Sequence, residues 1–331
     1  MRIATFNLEN LGNRDDDADR LRQRLAILRP QLQRVDADVL CLQEIDAARP
    51  QKHAQRRLVA LDQLLEDTAY RDFHRAATVN PATGHPADRH NLVVLSRWPI
   101  EHAAQHIHSI VLPPVYTYAA ADPPQGGARA MTWDRPFLHT RIRLPEGKAL
   151  NVINLHLKAP LAAVVPGQKL DRFAWKSASG WAEGYFIAAI KRAGQALEVR
   201  MVIDRIFDDD SDAMVLVAGD FNAQECEVPA RIIAAELEDT ANGDLASRVM
   251  IPLEHSLSES RRYSVIHRGR RIMLDHMFAS RALLSAYQHM EIHNEALGDE
   301  LVAYAAVDGS PESYHAPVVA VFRDRSGIRA E

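Results

Sequence analysis

Asp220 and Asn222 close an apolar run, Val215-Leu216-Val217-Ala218-Gly219, and polar residues of similar type recur beside other apolar runs: Asn7, Glu44, His156, Asp275 and His315. A carboxylate at the end of a buried strand is costly unless it is paired, bound to a cation or used in chemistry. Period-two alternation lets Asp220 and Asn222 point the same way. Each residue alone has a structural explanation. Asp-x-Asn is a common strand-closing turn, Asn7 tolerates a left-handed backbone, and Glu44 suits a helix entry. A lone histidine such as His156 is more often a satisfied core residue, Asp275 suits an ion pair, and His315 suits a strand cap. Taken together they describe several independent strand ends converging on one sheet edge, which is what a reaction site requires.

The chemistry that fits this set is hydrolysis of a phosphate ester. Hard cations take oxygen ligands, and Mg²⁺ uses one or two carboxylates and keeps several waters; Glu44 with Asn7 fits that role. Asp220 with Asn222 fits the holding of an attacking water. Imidazoles beside phosphoryl oxygens stabilise developing charge, and a carboxylate behind one fixes its tautomer and favours the imidazolium. Asp275 behind His315 would be such a dyad, with His156 a second donor to phosphate.

The elements that must position these groups are legible from periodicity. Arg2 to Asn7 reads as an opening strand, Asp38 to Gln43 as a second with Glu44 at its end, and Leu92 to Leu95 as a third. Leu21, Leu25, Leu28, Leu32 and Val35 mark an amphipathic helix. A second helix is expected over Gln55 to Leu65. Pro136 to Leu144 and Leu150 to Leu155 are two strands joined by the turn signal Pro145 to Lys148. Leu112 to Gln125 reads as a loop, and Lys158 to Gly180 as irregular. Phe186, Ile190, Ala193, Leu197 and Met201 then mark a long helix, and another spans Val228 to Leu237. Ser264 to Ile266 and Arg271 to Phe278 form an expected hairpin around Arg268-Gly269, and Val318 to Phe322 a closing strand.

The chain has 331 residues, 47% hydrophobic and 25% charged, enough to build a sizeable core. With no internal repeat or low-complexity linker, one α/β domain over residues 1–331 is expected. No apolar stretch approaches the ~20 residues of a membrane span. The start carries no signal-peptide pattern, so a cytoplasmic location is expected. Two cysteines, Cys41 and Cys226, exclude a disulfide scaffold. A net charge of −5 argues against a strong, sequence-independent grip on DNA over the whole surface, though not against a local basic groove.

Seven short motifs occur in order. They are Thr5-Phe6-Asn7-Leu8, Leu42-Gln43-Glu44, Val94-Leu95-Ser96-Arg97-Trp98-Pro99-Ile100, Asn154-Leu155-His156-Leu157-Lys158, Gly219-Asp220-Phe221-Asn222, Leu274-Asp275-His276-Met277-Phe278 and Ser313-Tyr314-His315-Ala316-Pro317-Val318. Each is weak alone; in this order, end to end, the chain resembles the endonuclease/exonuclease/phosphatase superfamily. The resemblance implies a four-layer α/β sandwich, two mixed sheets packed face to face with helices outside. It implies Mg²⁺ or Mn²⁺ dependence and in-line attack of water on phosphorus. By it, Glu44 and Asn7 are metal ligands and Asp220 and Asn222 handle the water. His156 and His315 bind the phosphate, and Asp275 orients His315. Arg97, Lys158 and Tyr314 are expected, apart from the resemblance, to contact substrate. One position departs: the last family motif usually reads Ser-Asp-His, and Tyr314 replaces the Asp. A neutral phenol cannot supply that negative charge, so altered metal binding is expected.

Basic residues with interleaved aromatics (Lys158, Lys169, Arg172, Trp175, Lys176, Trp181) leave a locally bound nucleic acid open as a partner. The first expectation is a metal-dependent, nuclease-like phosphodiesterase. The alternatives are a hydrolase of the same fold redirected to another ester, and a non-catalytic binding protein. The retained cluster speaks against the last.

Overall fold

The computed structural model describes residues 1–13, 18–51, 54–300 and 311–323. The chain opens with β1 (Arg2–Leu11), α1 (Ala18–Val35), β2 (Val39–Ile45) and α2 (Val59–Leu65). Next come β3 (His74–Ala77), β4 (Asn91–Ser96), β5 (Ile100–His106) and a short pair, β6 (Val115–Tyr116) with β7 (Arg129–Ala130). The central stretch is β8 (Phe137–Arg143), β9 (Ala149–His156), α3 (Ala178–Asp209), β10 (Met214–Asp220) and α4 (Val228–Ala234). Then follow β11 (Ile251–Pro252), the hairpin β12 (Val265–His267) and β13 (Arg270–Ile272), β14 (Asp275–Ala279), β15 (Tyr287–Ile292) and β16 (Val318–Phe322).

Two six-stranded sheets result, ordered β15-β16-β1-β2-β4-β3 and β11-β14-β10-β9-β8-β5. In each, only the central pair is parallel: β1 with β2, and β9 with β10. Alternation sorts the side chains into layers. From β1, Ile3 enters the core between the sheets, where it meets Cys41, Val94, Val152, Leu216, Met277 and Val318. Phe6 and Leu8 face the other way, under Leu28, Leu32 and Leu61 of α1 and α2. In the second sheet, Ile153, Leu155, Val215 and Val217 lie under Val199 and Ile203 of α3 and Ile233 of α4. The layers are therefore helix, sheet, sheet, helix, the expected sandwich.

Polar residues on the inner faces tie the sheets together below the site. Gln43 donates to Thr5 Oγ1 (2.9 Å) and to Asn154 Oδ1 (2.7 Å), while Asn154 Nδ2 donates to the carbonyls of Leu42 and Val93. All three are fully buried, and each is held by hydrogen bonds, as buried polar groups must be.

Several expected elements shift. α2 starts at Val59 rather than Gln55, and the hairpin is β12 with β13, leaving β14 free to join the second sheet. β3, β5 and β15 carry no alternating apolar signal; β5 reads Ile-Glu-His-Ala-Ala-Gln-His along an edge. The apolar spacing that marks α3 is not its buried face. Phe186, Leu197 and Met201 are 50%, 42% and 39% exposed, whereas Glu183, Arg192, Gln195 and Glu198 are buried. Glu198 is tolerated there because its carboxylate accepts the N–H groups of His108, Ser109 and Ile110 and the Trp133 indole. Among the described residues, no helix is long and apolar enough to cross a membrane.

Candidate active site

The polar ends of the inner faces meet at one edge of the sandwich. Asn7 follows Ile3 and Thr5 on the inward face of β1. Its Nδ2 donates to Glu44 Oε1 (3.2 Å) and Asp220 Oδ2 (3.1 Å), and its Oδ1 accepts the Glu9 N–H (2.9 Å). Glu44 takes a left-handed backbone at φ 57°, which breaks the alternation of β2 and turns its carboxylate to the site. There Oε2 accepts the Asn10 N–H (3.2 Å), and Oε1 lies 3.5 Å from His156 Nε2.

Asp220 ends β10 opposite His156 and Asp275, in the registers of β9 and β14. The glycine before it is dictated by packing: Gly219 sits at φ 143°, and a Cβ there would stand 2.0 Å from the Leu155 carbonyl oxygen. Asp220 Oδ1 accepts the Asn222 N–H (2.8 Å), and Oδ2 accepts Asn222 Nδ2 (3.1 Å) and lies 3.4 Å from His156 Nε2. Across from it, His315 Nδ1 meets Asp275 Oδ2 at 2.7 Å, while Asp275 Oδ1 is buried with no hydrogen-bond partner.

Burial sets the charges. It pushes the Asp220 carboxyl up to about 7, with Asp275 adding to the rise and His315 opposing it. His315 would lose its proton to burial, but Asp275, then Asp220 and Glu44, outweigh that and carry it to about 10. His156 goes the other way: burial, then Arg135, hold it well below the usual imidazole range. Burial lifts Glu9 to about 7, although its carboxylate accepts the Tyr314 N–H at 2.9 Å. One imidazolium and one neutral imidazole therefore face each other across a carboxylate poised near neutrality.

The structure brings together Asn7, Glu44, His156, Asp220, Asn222, Asp275 and His315. Lys158 stands at the rim, its N–H donating to Gln195 and its Nζ 3.6 Å from Asp134. Arg97 does not belong to the site. β4 runs antiparallel to β2, so Arg97 pairs with Asp38 (2.9 Å) at the start of β2, roughly 20 Å of strand away from Glu44. Tyr314 is buried, and its N–H donates to the Glu9 carboxylate. Asn222 Nδ2 is engaged by Asp220 and the Leu157 carbonyl, which makes Asn222 an orienter of Asp220.

Three residues at this edge escape the sequence reading. The same antiparallel direction that removes Arg97 brings in His90, just before β4, with Nδ1 3.8 Å from Glu44 Oε2. Arg135, just before β8, packs against His156 with Nη1 2.5 and 2.7 Å from the two ring nitrogens. Glu9, at φ 47°, turns back at a bulge in β1. The available signal was strand direction: where a strand is antiparallel to a site-bearing neighbour, the residue before it, not after it, reaches the site. As candidate cation holders, the ligand atoms of Glu44, His90 and His156 lie within 4.8 Å of one another, as do those of Asp220, Asp275 and His315. Carboxylates of this kind, with a buried orphan oxygen on Asp275, fit a divalent cation.

The model of the Endonuclease/Exonuclease/phosphatase family matches residues 4–297. No curated protein matches the chain. Among solved structures, a mannosyl-6-phosphatase from Bacteroides thetaiotaomicron is similar, with TM-score 0.59 and 15% identity over 98% of this chain and 100% of that one. The 3′ phosphatase NExo from Neisseria, bound to a product DNA hairpin, gives TM-score 0.52 and 16% identity over 98% and 99%. A humanized D. rerio TDP2 gives 0.52 and 13% over 98% and 99%. At these identities the likeness is one of fold.

Proposed function

We propose, for a chain that belongs to the endonuclease/exonuclease/phosphatase family, metal-dependent hydrolysis of a phosphodiester by in-line attack of water. The observation that carries this reading is the pairing of an imidazolium dyad, Asp275–His315 at 2.7 Å, with a buried Asp220 near neutrality across one edge. Glu44 would hold Mg²⁺ or Mn²⁺, assisted by Asn7, whose amide would turn to present Oδ1 in place of the Nδ2 that faces Glu44. The ion would supply Lewis-acid polarisation of a phosphoryl oxygen. Asn222 fixes the Asp220 carboxylate, which takes the proton of the attacking water as the new O–P bond forms. The bond to the leaving oxygen breaks on the opposite side, and that oxygen takes its proton from solvent. His315, held cationic, stabilises the charge that grows on the phosphoryl oxygens, and neutral His156 gives a hydrogen bond. Asn7, His156, Asp220 and Asp275 are buried, which strengthens the contacts that they make.

A second reading, a phosphomonoesterase, is favoured by Arg135, whose guanidinium adds a further cation beside His156 and suits a dianion. Hydrolysis of bis-p-nitrophenyl phosphate, p-nitrophenyl phosphate and plasmid DNA with Mg²⁺ or Mn²⁺ decides. Cleavage of the diester and DNA supports the first reading, and monoester cleavage alone supports the second. No cleavage of any of them in either ion sinks both.

A further inference from the structure

His276 follows Asp275 on β14, and alternation turns it to the opposite face of the sheet, away from the cluster. There it is fully buried beside the rings of Phe221 and Phe278, at centroid distances of 5.0 and 5.7 Å. Its Nδ1 donates to the carboxylate of Glu254, which is buried as well, and its Nε2 donates to the Ala223 carbonyl oxygen at 2.9 Å. Both partners are acceptors, so both ring nitrogens carry hydrogens and the ring is an imidazolium. Burial opposes that charge, and Glu254 outweighs burial. A buried ion pair adds little net stability over a well-packed apolar pair, so stability does not account for this one.

The Ala223 carbonyl belongs to the turn that carries the chain out of β10, directly after Asp220. Asn222 stands in that turn at φ 47°, and it meets both oxygens of Asp220, its N–H donating to Oδ1 (2.8 Å) and its Nδ2 to Oδ2 (3.1 Å). Successive residues of the turn are each held from outside it. The Phe221 N–H donates to the Leu274 carbonyl (2.8 Å), Arg192 Nη1 donates to the Asn222 carbonyl (2.5 Å), and His276 Nε2 donates to the Ala223 carbonyl. Two buried cations thus sit on consecutive carbonyls, and such charge-assisted bonds are the stronger kind. We propose that His276, backed by Glu254, is a positioning residue: from the far face of the sheet it fixes the turn at Asn222 and Ala223, and through Asn222 the direction of the Asp220 carboxylate. Besides burial, the groups that set the Asp220 carboxyl are His315, Asp275, Asn222 and Glu44, so His276 works by geometry and not by its own field. This role rests on the reading of Asp220 as the group that takes the proton of the attacking water.

Two variants of the full chain separate the contact from the charge. Glu254→Gln removes the charge and keeps the contact, because a neutral His276 can donate from Nε2 to Ala223 while Nδ1 accepts from the new amide. His276→Leu combined with Glu254→Met removes the contact and puts apolar volume in place of the ion pair, which folded cores accept. Hydrolysis of bis-p-nitrophenyl phosphate in Mn²⁺ is compared with urea unfolding and with the Asn222 side-chain amide resonances in chelator. Glu254→Gln should keep kcat within about threefold of the parent and leave the Asn222 amide unmoved. The apolar pair should resist urea as well as the parent, yet lose kcat on the order of 10- to 100-fold at nearly constant KM, with the Asn222 amide shifted or broadened. Should the apolar pair not fold, His276→Asn and His276→Gln decide in its place. An asparagine amide stops at the depth of Nδ1 and a glutamine amide reaches that of Nε2, so only the glutamine can meet Ala223 and it should retain the higher turnover. Parental kcat or an unmoved Asn222 amide in the apolar pair, an equal loss in Glu254→Gln, or equal turnover in His276→Asn and His276→Gln would each overturn the role. A parent that hydrolyses nothing, beside an apolar pair that still shifts the Asn222 amide, would remove the phosphoesterase reading and leave the positioning standing.

Discussion

Replacing Asp275 by Asn tests the dyad without changing its shape. The amide keeps the volume of the carboxylate and can still accept from His315 Nδ1, now 2.7 Å away. What it loses is the charge. In the folded protein His315 reaches about 10, although burial alone would lower it, because Asp275 and then Asp220 and Glu44 favour the cation. The rise from 6.5 corresponds to about 5 kcal/mol in favour of the protonated ring, an order of magnitude shared among three carboxylates. Removing a neighbouring opposite charge moves a pKa by roughly 1–3 units. In metal-free protein followed by imidazole NMR, His315 of the variant should therefore titrate between about 7 and 9. The alkaline limb of kcat should move down by the same amount, and kcat at pH 9 should fall by about 2- to 90-fold as the cationic fraction of His315 drops. Linkage gives the sign for stability. Stabilisation from a raised imidazole is complete below 6.5 and is lost as pH rises towards 10, so the parent should lose urea resistance across that window and Asp275→Asn should lose less. A His315 that stays cationic to pH 10 in the variant, with an unmoved alkaline limb, would refute the dyad.

Glu44→Ala should abolish hydrolysis and metal binding together, measured by turnover and calorimetry; near-parental turnover would remove Glu44 from the metal site. Gly219→Ala should cost ~3 kcal/mol or more in denaturant unfolding, because the added carbon must escape the Leu155 oxygen 2.0 Å away at a backbone angle alanine resists. Tyr314→Asp empties a buried aromatic position and should lower stability in chelator by about 3 kcal/mol, yet gain more than the parent from added Mg²⁺ if the new carboxylate joins the metal site. Equal gains in parent and variant would leave position 314 outside it. Cation binding at pH 7 should release about one proton, since Asp220 and Glu9 both sit near 7; calorimetry in buffers of different ionisation enthalpy measures it, and zero release would contradict their burial.

The sandwich was legible because its strands are apolar runs and its helices carry stripes, and the site was legible wherever a polar residue interrupts a buried run. Asp220 after Val217-Ala218-Gly219 and His156 after Asn154-Leu155 are such interruptions, and both lie where periodicity places them. Direction was not legible. Periodicity is the same read forwards or backwards, so nothing local tells that β4 runs against β2, which carries Arg97 away from Glu44 and brings His90 towards it. Conformation was not legible either. Glu44, Glu9 and His90 all rely on left-handed backbone, and none of them is the glycine or asparagine that advertises it. The buried face of α3 is not legible for a third reason. Glu183, Gln195 and Glu198 are buried because loops bring N–H groups to them, and those loops lie far away in sequence.

These loops bear on the chemistry as well as the fold. Glu198 holds the Trp133 indole, Gln195 holds the Arg135 carbonyl, and Lys191 pairs with Asp134 at 2.7 Å. One face of α3 thus grips three consecutive residues and delivers the guanidinium of Arg135 to His156. The charge count at that edge shows why a cation must be delivered. Glu9, Glu44, Asp220 and Asp275 are four carboxyl groups at one edge, two of them buried, opposed by His315 and Arg135. Without a further cation the pocket restores balance by holding protons, and burial drives Asp220 and Glu9 to about 7. A divalent ion would bring the missing two charges and leave the carboxylates free to act. The anionic substrate would then restore a negative excess that Lys158, at the rim, is placed to meet. On this account proton affinity, metal affinity and substrate affinity are one electrostatic quantity, and a change at any of these residues should move all three.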